Sequence, residues 1–447
     1  MDQAHARSRE QRRQWLAANP ERPRAPPPVP SIHGPLRDPW PDGPRTSVDT
    51  DFQEACLDTG AFSALVRARP DAALEVLLAV CIEEPQYDDY SWRPMRECGL
   101  DHWHAGDAPL YCRGPFLSFL QQAPEHGLSF VLKLINFATR RYAGENGLSV
   151  TVGDTSRTWC GDPNVFRWHF DWPLSNGSAI HSSLMALERW LYEQIERGEN
   201  IDHWITRILA ESESLAFAGL LFDVGKRHPP LFSALLKPLL RNWVLIDWDR
   251  QATVMRQPRT DPMGYWGHQP AAIIALGREW VAMPHRRNLI AYLGGAVVET
   301  MMGDEEQWPF FEQLRADWTA QLDTQGRPES LRLLIERFNP ANYTFEVRDG
   351  KRVPVHFQWP DILARQNAED QQKIAQRSTA TRFPWQCRQR LNAGSPLPHE
   401  QIPVFWEFIQ AIDSHPPELA RENREALLHI EDILCGGIAV LVVLHYD

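Results

Sequence analysis

The stretch HSSLMALERWLYEQIERGENID, residues 181–202, carries the clearest structural signal in this 447-residue chain. Its apolar residues recur every three or four positions and so line one side of an α-helix: Ile180, Leu184, Leu187, Leu191 and Ile195. Its charges lie mainly off that stripe: Glu188, Arg189, Glu193 and Glu196. The pattern predicts a helix that packs on other helices through aliphatic side chains and turns its charges towards water.

The same helical period recurs over most of residues 50–433, including predicted helices at 270–282, 286–302, 305–322 and 327–337. Alternating apolar residues after position 147, and an Asp349-Gly350 pair between alternating segments, predict short strands at about 148–172 and 343–359. The sequence therefore predicts a mainly α fold, an irregular α-solenoid or layered helical-hairpin array with these two small β-insertions.

The chain divides into five predicted segments. They are a proline-rich N-terminal arm or linker at 1–48, a helical region with an aromatic loop at 49–145, a small β-insertion at 146–176, a helical repeat-like region at 177–338, and a β-hairpin with C-terminal helices at 339–447. The last segment ends on the apolar run CGGIAVLVVLHYD. Such a run requires burial, and we expect it either to pair within this chain or to belong to a longer parent.

Composition narrows the functional classes. A net charge of −12 and a pI near 5.8 argue against sequence-independent nucleic-acid binding, which needs a cationic surface, and against docking on anionic membrane. Seven cysteines without regular spacing, and an N-terminus that does not resemble a signal peptide, favour the cytoplasm. The longest apolar run, near 437–444, is far shorter than the ~18 residues of a membrane-spanning helix.

Motifs for catalysis are weak. The nearest approach to a phosphate-binding loop is GLLFDVGK at 219–226, which has the wrong spacing and is followed by Arg227 instead of Ser or Thr. Its apolar spacing is that of a helix. We therefore expect no nucleotide cofactor, no other cofactor and no catalytic residue of a known type.

Two stretches contain residues able to bind a metal or transfer a proton. CGLDHWHAGDAPLYC, 98–112, offers the zinc-type ligands Cys98, His102, His104 and Cys112, although their spacing is not that of a common zinc module and a polar loop with free thiols is favoured. FRWHFDW, 166–172, alternates polar and aromatic residues as a strand does, and its His169 and Asp171 could act in acid–base chemistry. On a strand, Trp168 and Trp172 would share the opposite face.

A longer stretch resembles a known family. GDPNVFRWHFDWPLSNGSAIHSSLMALERWLYEQIERGENIDHWITRIL, 161–209, and SESLAFAGLLFDVGKRHPPLF, 212–232, resemble helical segments of large bacterial STAND NTPases of the NACHT or ATPase type that act in anti-phage defence. The matching part is helical scaffold, and the family's phosphate-binding and acidic ATPase motifs have no counterpart here. The resemblance implies a sensor or scaffold region that works with an ATPase or effector module in the same or an adjacent chain.

The leading hypothesis is therefore a non-enzymatic helical region that binds a protein ligand, such as a phage protein. Aromatic side chains dominate binding hot spots, and the candidate contact residues are Trp168, His169, Trp172, Tyr87, Trp92 and Trp103. The two tryptophans at 168 and 172 could equally fill the core, which would leave His169 as the better contact. The alternative is a metal-dependent enzyme with its site around Cys98, His102, His104 and Cys112 or around His169 and Asp171.

Overall fold

The computed structural model describes residues 50–82, 109–170, 178–256, 270–324, 329–360, 386–414 and 430–445, without 58 and 154 but with Phe383. The chain divides into two compact units, Met1–Pro340 with Phe345–Val355 and Ala341–Thr344 with His356–Asp447. The described part is mainly helical and contains two small sheets of two strands each, which confirms the predicted fold class.

The first half of the larger unit consists of helices interrupted by one hairpin. Its elements are α1 Thr50–Leu57, α2 Thr59–Ala68, α3 Pro70–Cys81, α4 Phe116–Gln122, α5 Pro124–Ala143, β1 Gly147–Val152, β2 Thr155–Cys160, α6 Pro163–Phe166, α7 Ser178–Glu196, α8 Asp202–Glu211 and α9 Leu215–Arg227.

The second half alternates helices with short 3-10 turns. It contains α10 Pro230–Ser233, a 3-10 turn Lys237–Arg241, α11 Trp243–Arg256, α12 Ala271–Ala282, a 3-10 turn Pro284–Arg287, a π-helical turn Val298–Met302, a 3-10 turn Glu305–Gln307, α13 Trp308–Thr324 and α14 Glu329–Arg337.

Helix α7 packs as its stripe predicts. Leu184, Leu187 and Leu191 are fully buried, and α7 lies against α4, α5 and α9. Helix α9 is buried along almost its whole length and also packs on α6 and α11. The core of the larger unit thus forms around α7 and α9, and large aromatic side chains such as Trp159, Phe217 and Phe222 fill it.

The first β-insertion is an antiparallel hairpin in which Leu148 pairs with Trp159 and Val152 with Thr155. The backbone N–H of Cys160 donates to the carbonyl oxygen of Glu213 at 2.7 Å, immediately before α9 begins. Strands at the predicted position are confirmed for 147–160. They end there, because the next residues form a helical turn.

The prediction of a continuous helix at 286–302 is wrong. This stretch contains the 3-10 turn Pro284–Arg287, an irregular segment and the π-helical turn Val298–Met302. Gly294 has a φ of +78°, which glycine adopts without strain, and a side chain at Gly295 would overlap the Leu289 carbonyl. The apolar period is present, but the two glycines allow a backbone path that a helix excludes.

The second hairpin, β3 Tyr343–Arg348 and β4 Lys351–Phe357, confirms the predicted strands. Asp349 and Gly350 both have positive φ, +50° and +73°, as a tight two-residue turn requires.

The smaller unit has its own apolar cluster. A helical stretch at 386–393, a 3-10 turn His399–Gln401, α15 Ile402–Ser414 and α16 Ile430–His445 build it. Its buried residues are Phe383, Cys387, Leu397, Ile409 and Val440. The apolar C-terminal run therefore pairs in part within this chain, although Ile438, Val442 and Val443 of the same helix are exposed. No helix in the described part of the chain is both long and apolar enough to cross a lipid bilayer.

Candidate functional site: a buried charge network

The candidate site is centred on Asp223, a fully buried carboxylate in α9. Its Oδ2 atom accepts a hydrogen bond from Nη1 of Arg286 at 2.8 Å and lies 3.0 Å from Nε2 of His169. Its Oδ1 atom lies 3.4 Å from Nζ of Lys226, one turn further along the helix. One carboxylate therefore meets three nitrogen-bearing side chains away from solvent.

Helix α9 is built to bring these groups together. It begins where the Ser214 hydroxyl accepts from the backbone N–H of Ala216 at 3.2 Å, a normal N-cap. One turn before Asp223 stands Gly219, where a Cβ atom would overlap the Phe166 carbonyl and lie 2.8 Å from Cε1 of His169. Because glycine has no side chain, the turn at 167–170 lies directly on α9 and His169 reaches Asp223.

Lys226 extends the cluster to α11. Its Nζ atom donates to Oδ1 of Asp249 at 2.5 Å and lies 3.4 Å from Oγ1 of Thr253. Asp249 and Thr253 are four residues apart and so occupy one face of α11. The lysine thereby joins two helices through a pair of side chains that are 1% and 3% exposed.

Arg286 extends the cluster to α7. Its guanidinium joins two carboxylates, with Nη2 donating to Oε1 of Glu188 at 2.5 Å and Nη1 to Asp223. The Tyr192 hydroxyl, one turn along α7, donates to the same Glu188 oxygen and lies 2.8 Å from Nε2 of His285. A continuous chain of hydrogen bonds therefore runs from His285 to Asp223. We call His169, Glu188, Asp223, Lys226, Asp249 and Arg286 the buried charge network.

Burial decides the protonation of the groups beside it. Desolvation lowers the pKa of His285 to about 3, so its ring is neutral and Nε2–H donates to the Tyr192 hydroxyl. Desolvation, and then the nearby Glu188 carboxylate, raise the pKa of Tyr192 well above its usual value, so this hydroxyl keeps its proton. Burial alone would lower the pKa of Arg286, but attraction to the carboxylates of Glu188 and Asp223 outweighs it and raises the pKa.

The geometry can be tested for a metal ion. His169, Glu188 and Asp223 are buried, and one possible ligand atom of each lies within 4.8 Å of the others. However, the guanidinium of Arg286 hydrogen-bonds both carboxylates and supplies the positive charge that a metal would bring. The three residues therefore do not fit a metal site while Arg286 is in place, and we assign them to the charge network.

The arrangement is suited to holding elements together more than to turning over a substrate. The network joins the turn at 167–170 to α7, α9, α11 and the 3-10 turn Pro284–Arg287. Side chains of its ion pairs are 0–3% exposed, so bulk solvent does not reach them. In such surroundings ion pairs are strong, and loss of one partner is costly because the other charge stays buried.

Two predicted contact residues are described, and neither can contact a ligand in this structure. Trp168 and His169 are each 1% exposed. Trp168 fills the core, with its ring 5.4 Å from that of Tyr142, as the plug hypothesis expected. The prediction that His169 points the other way, towards a ligand, is wrong, because 166–170 is not a strand.

The physical reason lies in the Asp162-Pro163 pair. The Asp162 carboxylate accepts from the backbone N–H groups of Asn164 and Val165, both at 2.9 Å, and proline occupies the first helical position. A helical turn forms at Pro163–Phe166 and continues as tight turns to residue 170. Neighbouring side chains then no longer alternate between two faces, so Trp168 and His169 are both buried.

The other candidates are mostly outside the described residues. These are Tyr87, Trp92, Trp103, Asp171 and Trp172, and the possible metal ligands Cys98, His102 and His104. Cys112 is described; it is a half-buried free thiol whose pKa is raised by burial. That shift works against the thiolate form that zinc binding requires.

The sequence interpretation missed Glu188, Asp223, Asp249 and Arg286. Glu188 was expected to face water, yet it is fully buried. The spacing of the sequence could have indicated this burial. Four residues of α7 recur at helical intervals and form a second stripe, and the structure buries all of them: His181, Met185, Glu188 and Tyr192. In α9 the signal is an acid and a base three residues apart within an otherwise apolar helix.

Comparisons with known proteins do not extend this assignment. No protein-family model matches the chain, and no curated protein is similar enough to it to count as a match.

Proposed function

We propose that this chain is a non-catalytic helical scaffold that binds a protein ligand, in the manner of the sensor regions of STAND-type defence proteins. The single observation that carries the proposal is the burial of the charge network. The acids and bases of this network are closed off from solvent and paired with one another. They connect helices, which is the role that a scaffold requires of them.

The resemblance at 161–209 and 212–232 supports the same proposal, because those residues form α6 to α9 and supply four of the six network residues. A helical region of this kind would act beside an ATPase or effector module, carried in the same or an adjacent chain in the cytoplasm. A phage protein is the proposed ligand. Trp172, Tyr87, Trp92 and Trp103 remain the proposed contact residues.

A nucleotide titration tests the non-catalytic part of the proposal. Calorimetry of the purified chain with MgATP is expected to show no saturable binding, because the lysine of GLLFDVGK has its Nζ atom between Asp223 and Asp249, 1% exposed. Micromolar binding that is lost in Lys226→Met, while the circular dichroism spectrum is retained, would overturn it. Hydrolysis of ATP by the wild-type chain would do the same.

A binding assay tests the scaffold part. Individually purified phage proteins would be titrated against the immobilised chain, and the proposal expects saturable binding of at least one. Alanine at Trp92, Trp103 or Trp172 should then weaken binding by about thirtyfold or more, the effect of a hot-spot residue. Trp406→Ala, on a 44% exposed tryptophan of the smaller unit, is the matched control. Full affinity in all three variants would rule out the aromatic contact surface.

A further inference from the structure

Both ring nitrogens of His169 face oxygen acceptors. Nε2 lies 3.0 Å from Oδ2 of Asp223, and Nδ1 lies 3.2 Å from the carbonyl oxygen of Phe166. Neither oxygen carries a hydrogen to donate: the first belongs to a carboxylate that also accepts from Arg286, and the second to the backbone. A neutral imidazole has one N–H and could satisfy only one of the two.

We propose that His169 is held in the folded protein as the doubly protonated, positively charged imidazolium, and that its second proton makes the stability of the larger unit sensitive to pH. Each nitrogen then donates one hydrogen bond, to Asp223 and to Phe166. This inference goes beyond the proposed scaffold function and does not depend on it.

Among the described residues, the titratable and charged groups connected to His169 through these hydrogen bonds, or through the turn that carries it, come from four elements. They are Asp223 and Lys226 on α9, His181, Glu188 and Tyr192 on α7, Asp249 on α11, and His285 and Arg286 on the 3-10 turn.

His285 provides an internal contrast. One of its nitrogens meets the Tyr192 hydroxyl, which can accept a hydrogen bond, and burial lowers the pKa of His285 to about 3. Two buried histidines of the same core are thus assigned opposite charge states for a geometric reason. His169 meets a carboxylate and a carbonyl, whereas His285 meets a hydroxyl.

The pH dependence follows from proton linkage. A histidine in the unfolded chain titrates near 6.5, whereas His169 keeps its proton in the folded chain to higher pH. Below about pH 6.5 both states carry the proton, and its contribution to stability is fully present. Above that value the folded state binds one proton more than the unfolded state, so stability falls as pH rises, by up to tenfold in the folding constant per pH unit. The fall ends where the folded state also loses the proton.

Nuclear magnetic resonance of the wild-type chain tests the charge state without any substitution. In protein labelled with ¹⁵N-histidine, the ring nitrogens distinguish an imidazolium from either neutral tautomer. The proposal expects one histidine with both nitrogens protonated at pH 8.5, about two pH units above the ordinary pKa of a histidine side chain. If no histidine keeps both protons at that pH, the proposal is overturned.

Urea unfolding between pH 6.5 and 8.5 tests the consequence. His169→Gln keeps an amide donor for Asp223 but has no charge, so its folding constant should fall less steeply with pH than that of wild type, by up to tenfold per unit. His285→Gln is the matched control and should keep the wild-type slope above about pH 7.5, because His285 is neutral in the folded state and an unfolded histidine has then lost most of its protons. Equal slopes for wild type and His169→Gln would overturn the proposal. If His169→Gln does not fold, the wild-type resonance spectrum at pH 8.5 remains decisive.

Discussion

The larger and the smaller unit of this chain bury different types of side chain in their cores. In the larger unit, six charged or titratable side chains lie between α7, α9 and α11, among fully buried aromatic rings. In the smaller unit, the buried cluster consists of Phe383, Cys387, Leu397, Ile409 and Val440. The most polar group of that cluster is the Cys387 thiol, whose pKa burial raises to about 11. Among the described residues, the core of the larger unit contains buried ion pairs, whereas the buried cluster of the smaller unit contains apolar side chains and one thiol.

The difference teaches where each unit is vulnerable. An apolar cluster tolerates substitutions that keep its volume, because the hydrophobic effect depends on the apolar area buried and does not require a particular orientation of the groups. A buried charge tolerates little, because removal of its partner leaves it uncompensated in a medium that solvates it poorly. We therefore expect the larger unit to be sensitive to the identity of single side chains and the smaller unit to be sensitive mainly to their size.

The largest effect is expected at Arg286. Arg286→Ala leaves the carboxylates of Glu188 and Asp223 without their shared cation, and it should lower the free energy of unfolding by about 3–5 kcal/mol. Urea unfolding followed by tryptophan fluorescence measures this loss. The matched control is Arg197→Ala, directly after the end of α7, where the arginine is 58% exposed and lies 3.7 Å from Glu193; it should change stability by less than about 0.5 kcal/mol. Equal losses in the two variants would show that the network contributes no more than a surface pair.

A smaller effect is expected at Gly219. In Gly219→Ala the new methyl group overlaps the Phe166 carbonyl and crowds His169, so the turn must move away from α9 at a cost of about 1–3 kcal/mol. Gly198→Ala is the comparison, because that glycine has a φ of +73° and an added methyl group there would have no neighbour within 4 Å. It should cost about 1–2 kcal/mol from backbone strain alone. A ¹⁵N-histidine spectrum separates crowding of His169 from backbone strain, because only Gly219→Ala should shift the ring resonances of His169. If these resonances are unchanged in Gly219→Ala, the close approach of His169 to Gly219 is contradicted.

The smaller unit is expected to respond more weakly. Ile409→Val removes one buried methylene-sized group beside Gly437 of α16 and should cost about 0.5–1.5 kcal/mol. Hydrogen exchange in peptides from α15 and α16 reports this change locally. If amide hydrogens of α15 and α16 in Ile409→Val exchange as fast as those of the unfolded chain, the smaller unit is as sensitive to single side chains as the larger one. The proposed contrast between the two units would then be wrong.

The smallest effect is expected at Val443, which is 68% exposed on α16. Val443→Ser removes little buried area and should change the stability of this unit by less than about 0.5 kcal/mol. The same hydrogen-exchange measurement applies. A loss of 1 kcal/mol or more would mean that this side chain is covered in solution.

Much of the fold follows from local patterns. The stripe of α7, the apolar face of α14 and the Asp349-Gly350 turn each specify their element, because helix and hairpin geometry depend on residues that are close in sequence. Two failures have local causes as well. At 166–170 the residues alternate as in a strand, but the Asp162 cap and Pro163 favour a helical turn. At 286–302 the apolar residues recur with a helical period, but Gly294 and Gly295 permit a backbone path that is not helical.

The candidate site was far less predictable. Glu188 and Arg286 are 98 residues apart and Lys226 and Asp249 are 23 apart, so no motif of fixed spacing connects them. Each of these residues is of a type that normally faces water. Only their partners across the core make their burial possible.

The amino-acid sequence by itself determined the mainly helical class, the two hairpins and the aliphatic stripe of α7, because all three depend on periodicity and turn chemistry within short stretches. The tertiary structure alone decided which charges are buried and which nitrogen meets which oxygen. It placed His169 between a carboxylate and a carbonyl. It also placed the guanidinium of Arg286 against a carboxylate that could otherwise have bound a metal ion. The physical reason is that the free energy of a charge depends on everything within a few ångströms of it, and the chain brings those neighbours together only when it folds.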